Sequence, residues 1–287
     1  MLVSTEGNMV VHAGQEGVLV VDTLPRSLSK QVLASIRSIS DKPIHYIVDT
    51  QADEDHTGGN EALAEAGPTR PDRAPLSSGL GGNTGGITSI IAHENVQKRM
   101  RTAVAGGAAR PVAAWPVDTF INDESDVFFN DEAVQVLHQP NAHADGDSIV
   151  FFRRSDVIAA GDVYSTVSYP VFDKAQGGSI NGVIAALNRI VKLTVSTGNM
   201  EGGTMVVPGH GRISDKMDVV EYRNMVTIVR DRVQALAAQG KTLEQVLATQ
   251  PTLDYDARYG AATGPASPRA FVSAVYESLR AAPVAKQ

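Results

Sequence analysis

Four short runs of branched apolar residues in this chain end in the same way. "PIHYIVDT", "AVQVLHQP", "SDVIAAGD" and "TMVVPGHG" each pass from strand-forming residues into a turn that carries Asp or His. Short β-branched runs bounded by Gly, Pro, Asn or Asp read as strands. A rigid sheet fixes where its strand ends lie, and the turns beyond them expose side chains, so binding groups gather there. The chain is thereby constrained to a sheet-based α/β fold whose polar groups sit at strand ends.

The remaining elements follow from periodicity. "NMVVHAG" and "GVLVVDT" form a hairpin turning at "GQEG". "SLSKQVLASIRSIS" places Leu28, Val32, Leu33, Ile36 and Ile39 on one helical stripe. "GGNEALAEAG" predicts a helix capped near Asn60, and "DVFFNDEAVQVLHQP" a hairpin turning at Asn130–Asp131. "DSIVFFRRSDVIAAGD" reads as strand, polar turn and strand. Long helices follow in "SINGVIAALNRIVKL" and from about Asp215 to Ala238, and a helical tail spans about 242–281. Pro68 to Ser89, rich in Gly and Pro and without periodicity, is expected to be a long loop acting as a lid or rim. Strands in two sets, with helices between and after them, predict stacked sheets flanked by helices within one domain, 1–287.

Composition narrows the chemistry. The chain of 287 residues has a formal net charge of −7 with both signs interspersed, so no basic stripe invites nucleic acid or anionic lipid. It contains no cysteine, which excludes disulfides, thiolate nucleophiles and Cys-ligated metal sites. Met1 is not followed by a charged-then-apolar leader, nor does any 18-residue apolar segment occur. A soluble protein with a small-molecule substrate is the expectation. A cytoplasmic location, or a periplasmic one after removal of a leader, stays open, as does a homodimer.

The turn "DTQADEDHTGGN" packs Asp49, Asp53, Glu54 and Asp55 around His56. Like charges that close repel unless a cation neutralises them or water screens them. With His143, Asp162 and His210 after other strands, the chain offers Asp and His in the proportions of a divalent-metal site. "DTQADEDHTGGN", "HQPNAHADGDS", "IAAGDVY" and "VVPGHG", in that order, resemble the metallo-β-lactamase superfamily. "GKTLEQVLATQPTLDYDARYG" is similar to a bacterial branch known as β-lactamase-like or cyclase proteins.

The resemblance implies an αββα sandwich of two mixed β-sheets with one or two metals at one edge. It implies Asp55, His56, Asp162 and His210 as ligands of one ion, and His143 with the shared Asp162 as ligands of another. The motif His-x-His-x-Asp-His is degenerate here: Gln51 and Asp53 stand where the first two histidines belong. They are either weak ligands or residues left where a site was lost. Zinc is the first expectation at the intact site, manganese or iron the alternatives, and a second ion stays open. The resemblance also implies a strand preceding "NMVVHAG", so the chain is expected to be trimmed or naturally short.

The activity so implied is hydrolysis of an ester, lactone, amide or lactam by a metal-bound water. Asp55 and His143 are its catalytic candidates, and Tyr164 and Tyr169 are candidates for contact with substrate. A catalytically impaired binding protein and an iron-dependent redox enzyme are the rival readings. His12 and His45 are expected to be structural, His93 to start a helix, and His138 to lie near the site without touching metal. Glu54 is expected to face water, Trp115 to pack or line the cleft, and Asp22 to cap a turn or support His56.

Overall fold

The computed structural model describes residues 2–4, 6–68, 87–102, 110–198 and 202–280. Strands β1 (Leu2–Ser4), β2 (Gly7–Ala13) and β3 (Val18–Val21) run as an antiparallel meander. Helix α1 (Ser29–Ile39) leads to β4 (Ile44–Val48), which lies parallel to β3. Helices α2 (Glu54–Thr57) and α3 (Asn60–Glu65) precede β5 (Ser89–His93), α4 (Glu94–Arg101) and β6 (Asp118–Phe120). These strands form a mixed sheet in the order β1-β2-β3-β4-β5-β6.

The second sheet contains β7 (Glu124–Phe129), β8 (Glu132–His138), β9 (Ser148–Phe152), β10 (Val157–Ala159) and β11 (Met205–Val207). Its order is β11-β10-β9-β8-β7, antiparallel except for the β10–β11 pair. Helix α5 (Ile180–Leu193) lies between β10 and β11 in the chain. After β11 come α6 (Lys216–Ala238), α7 (Leu243–Ala248), α8 (Asp256–Tyr259) and α9 (Pro268–Arg280). Asp215 and Asp218 form a capping box that starts α6, satisfying amide donors the first turn leaves free.

Alternation along the strands builds four layers. Leu19, Val21, Val48 and Ile91 meet Val136, Val150, Phe152 and Val207 between the sheets. Val18, Val20, Ile47 and Ile90 face the other way, onto Val32, Ile36 and Leu63 of α1 and α3. Ile149, Phe151, Ile158 and Val206 pack on α5, α6 and α9. Every residue of β3 is therefore buried, which is why its sequence is uniformly apolar rather than alternating.

Several expectations change. A leading strand is present: β1 pairs with β2 through Leu2↔Met9 and Val3↔Asn8. Residues 69–86 of the expected lid lie outside the described residues, while Ser89 is not loop but the first residue of β5. The helix expected from Asn60 begins there with Gly59 at its cap, and the Asn60 side chain serves instead to hold Asp49.

The two ends of the sandwich differ. At one end, the connections after β3, β4, β10 and β11 meet the loop before β9. At the other, the hairpin turns converge: the Asn130 side chain accepts from the Glu16 amide at 2.8 Å, and Glu132 accepts from the Arg154 and Ser155 amides.

Candidate metal centre

Local packing brings distant residues to the first end. The turn after β4 is pinned to the second sheet where the Ser148 amide donates to Thr50 O at 2.8 Å. Asp162 rides on a 3₁₀ turn, Gly161–Val163, directly after β10. His210 follows β11 in a turn held by the Asn8 side chain, which donates to Pro208 O and Gly211 O at 2.9 Å each. Two glycines make this approach possible. Gly161 has φ +50, and a Cβ there would come 2.6 Å from Thr50 Oγ1; one on Gly209 would come 2.3 Å from Asp162 Oδ1.

Asp55, His56, Asp162 and His210 each offer one ligand atom, and these atoms lie within 4.8 Å of one another. His210 Nε2 is 3.3 Å from Asp55 Oδ2 and 3.4 Å from Asp162 Oδ1. His56 Nε2 is 3.4 Å from Asp162 Oδ1 and 3.9 Å from Asp55 Oδ2. Donors about 2.0–2.1 Å from a shared tetrahedral zinc stand roughly 3.3–3.4 Å apart, so the spacing is close to what an ion requires. His56 is 1% exposed, yet its Nε2 has no hydrogen-bond partner. A buried nitrogen left unpaired beside two carboxylates fits a metal ligand better than a structural histidine.

The electrostatics favour positive charge at the same point. Burial opposes protonation of His56, but Asp162 and then Asp22 outweigh it and raise its pKa well above the ordinary value. Hydrogen bonds to Asp162 and Asp55 raise His210 to about 9. Burial would lift Asp162, yet the charge of His56 and the hydrogen bond from His210 hold it well below the usual carboxylate range. Burial likewise acts to raise Asp55, and the His210 hydrogen bond leads the effects that lower it on balance. Asp22, directly after β3 with φ 61, accepts from His56 Nδ1 at 2.9 Å and from the Thr50 amide at 2.8 Å. That carboxylate fixes the ring so that Nε2 faces the cluster.

The other candidates sit elsewhere. Of the four acids in the turn, Asp55 alone joins the cluster. Asp49 is fully buried and accepts from Asn60 Nδ2 at 2.8 Å, and burial pushes its carboxyl well above the usual range. Glu54, expected to face water alone, is exposed but paired with Arg110. Gln51 Nε2 donates to Asp162 Oδ2 at 2.6 Å, and Asp53 Oδ2 lies 3.2 Å from His143 Nε2. His143 is thus placed beside the cluster and bonded to Asp53 rather than converging with the four.

Tyr164 is placed beneath the cleft, not on it: it is 1% exposed and its hydroxyl donates to Ser214. Tyr169 borders the cleft floor but is fully buried, and its hydroxyl is engaged by Asp256. Trp115 packs against the Ala92–Met100 cluster, and Arg101 lies over its ring. His93 caps α4 by accepting from the Asn95 amide, and His138 stacks on it at 3.8 Å. Sequence reasoning gave Asp49 and Asn60 no bond to each other and passed over Asn8, whose partners lie about 200 positions along the chain. The cleft, about 360 Å³, is lined by Asp53, His143, Asp162, His210 and the 165–171 segment among others.

Comparison with known proteins agrees with this fold. A family model described as the metallo-beta-lactamase superfamily matches residues 5–210. A linear primary-alkylsulfatase from Pseudomonas sp. is 25% identical over 257 residues, covering 81% of this chain and 47% of the relative. The chain thus spans about half the length of that curated relative. Among solved structures, a metallo-beta-lactamase from Pontibacter korlensis superposes with a TM-score of 0.56 at 15% identity, covering 77% of this chain and 87% of the other. A stereoselective inverting sec-alkylsulfatase from Pseudomonas sp. gives 0.62 at 13% identity, covering 95% and 47%.

Proposed function

Since the chain belongs to the metallo-β-lactamase superfamily, we propose that it is a divalent-metal-dependent hydrolase of an ester, lactone, amide or lactam bond. Asp55, His56, Asp162 and His210 would hold the ion. Two imidazole nitrogens and two carboxylate oxygens form a donor set that suits zinc. Such an ion supplies a Lewis acid and lowers the pKa of coordinated water towards neutrality.

The chain's own groups supply the rest. Asp22 keeps His56 in the tautomer that presents Nε2. The Asp55 carboxylate, a third exposed, orients the attacking water and can hold its proton. His143, anchored through Nδ1 to Val171 O at 2.9 Å, presents Nε2 at the cleft beside Asp53. From there it donates to the oxygen that gains charge as the carbonyl is attacked. Val167, Pro170 and Val171 offer apolar contact, and Ser165 and Ser168 hydroxyls, to the substrate's remaining groups.

One observation carries this reading: the buried His56 Nε2, without a hydrogen-bond partner, meets ligand atoms of Asp55 from its own turn and of Asp162 and His210 from two other strand ends. It is tested by a panel of esters, lactones, lactams and amides, with alkyl sulfate esters added because the curated relative is named an alkylsulfatase. Turnover that disappears with chelator and with His56→Ala is expected. No turnover on the whole panel, or turnover that survives both treatments, overturns the proposal.

A further inference from the structure

The two oxygens of Asp162 face different neighbours. Oδ1 stands 3.4 Å from His56 Nε2 and from His210 Nε2, inside the four-residue cluster. Oδ2 is capped by the Gln51 side-chain amide at 2.6 Å. An amide oxygen set that close to a carboxylate would repel it, so the nitrogen must face Asp162. An amide N–H is a donor only, and its nitrogen offers no acceptor site to a cation. Gln51, 3% exposed, therefore occupies the side of Asp162 from which that carboxylate would reach a second ion.

His143 is closed in the same sense. Its Nδ1 lies 2.9 Å from the Val171 carbonyl, which only accepts, so Nδ1 carries a hydrogen. Its Nε2 lies 3.2 Å from Asp53 Oδ2, within hydrogen-bond reach, and unlike the four-residue cluster these two atoms do not converge with a third and fourth ligand atom. The ring is thereby tied at both nitrogens, to the Val171 carbonyl and to the Asp53 oxygen that faces it. Among the described residues, the group of His and Asp side chains whose ligand atoms converge is Asp55, His56, Asp162 and His210, without Asp53 or His143.

We propose that this centre is built for a single divalent ion, and that Gln51, Asp53 and His143 fill the neighbouring position with hydrogen bonds to their own surroundings. Gln51 is the determining residue. Its amide ties the second oxygen of Asp162 and makes the carboxylate a ligand on one side only. The Asp53–His143 pair is freed from metal binding and stands on the cleft wall as a charged donor and acceptor for substrate. The inference rests on the reading that the four-residue cluster holds an ion, and a count of bound ions separates the two.

Metal-free protein is loaded in separate samples with Zn²⁺ and with Mn²⁺, freed of unbound ion, and measured by elemental mass spectrometry and calorimetric titration. One ion per chain and a single binding step are expected. Asp53→Asn leaves the count at one, and the double variant Gln51→His with Asp53→His raises it to two. Two ions on the unaltered protein overturn the single-ion centre and leave the metal-dependent reading standing; no ion from either metal overturns both. If circular dichroism shows the double variant unfolded, Asp53→Asn decides alone. A count that drops from two to one, or an affinity at least tenfold weaker for the one ion, makes Asp53 a ligand and refutes the proposal.

Discussion

The two ends of the sandwich each set carboxylates beside histidines, and they treat them in opposite ways. At the hairpin end, Glu132 is 2% exposed, yet the Arg154 and Ser155 amides and the Ser155 hydroxyl bond its oxygens, with His12 3.6 Å away. That carboxylate has its partners within the protein. At the strand-end side, His56 Nε2 has no hydrogen-bond partner, and the carboxylates beside it face imidazoles at 3.3–3.9 Å. Burial alone therefore does not mark a functional acid or histidine. An unmet bonding capacity, shared by several groups at one point, does.

The largest expected effect falls on Asp162, whose Oδ1 stands 3.4 Å from both imidazole nitrogens of the cluster. Asp162→Ala should abolish stoichiometric metal uptake and lower hydrolysis by on the order of 10³-fold, the equivalent of several kcal/mol of transition-state stabilisation. Uptake of a full equivalent of ion by this variant would remove Asp162 from the centre. Asp22→Asn comes next. The Asn oxygen can still accept from the Thr50 amide, but the carboxylate that fixes His56 Nδ1–H is gone. Metal affinity should weaken by about 10–100-fold, as for other carboxylates behind a ligating histidine. Unchanged affinity in a calorimetric titration would make Asp22 merely structural.

Glu132→Ala tests the opposite end. It removes the acceptor of two half-buried backbone amides and should lower stability by about 1–3 kcal/mol, seen in denaturant unfolding. Metal uptake should stay at the unaltered level. A variant that keeps its stability but loses metal would reverse the contrast between the two ends.

Much of this arrangement was legible in the chain before folding, and the reasons it stopped are local. Strands β3, β4, β9 and β11 announce themselves as branched apolar runs, and Asn130–Asp131 as a turn, with φ values of 54 and 58. β5 was hidden because its first residue closes a Gly- and Pro-rich stretch, and β6 because it has three residues, two of them exposed. The ordered motifs named Asp55, His56, Asp162 and His210. They could not say which neighbours had already been satisfied: Gln51 meets Asp162 across 111 positions, and Asp53 meets His143 across 90. Nor could they separate Tyr164 from the cleft, since an aromatic after a strand end looks alike whether its hydroxyl meets substrate or Ser214.

The smallest effect concerns a histidine pair at the strand-end side that has no part in the cluster. His93 and His138 stack with ring centroids 3.8 Å apart and planes within 5°. His93 Nδ1 accepts from the Asn95 amide, and His138 Nε2 bonds Asp145 O at 2.8 Å, so each ring has a protein partner. Burial, followed by the neighbouring His138, lowers His93 from an ordinary 6.5 to about 4, and burial foremost lowers His138. Glu94 counters the first shift, and Asp145 and Asp123 the second, while Lys98, Arg99 and Arg189 reinforce them. Both imidazoles are neutral in the fold at a pH where the unfolded chain takes up protons. The stability they contribute is therefore complete above pH 6.5 and is lost as pH falls towards 4. Melting temperatures taken from about pH 7.5 down to about pH 5 should fall less steeply in His93→Gln, which has one such titration fewer. Parallel curves for the two proteins would show that the stack does not resist protonation.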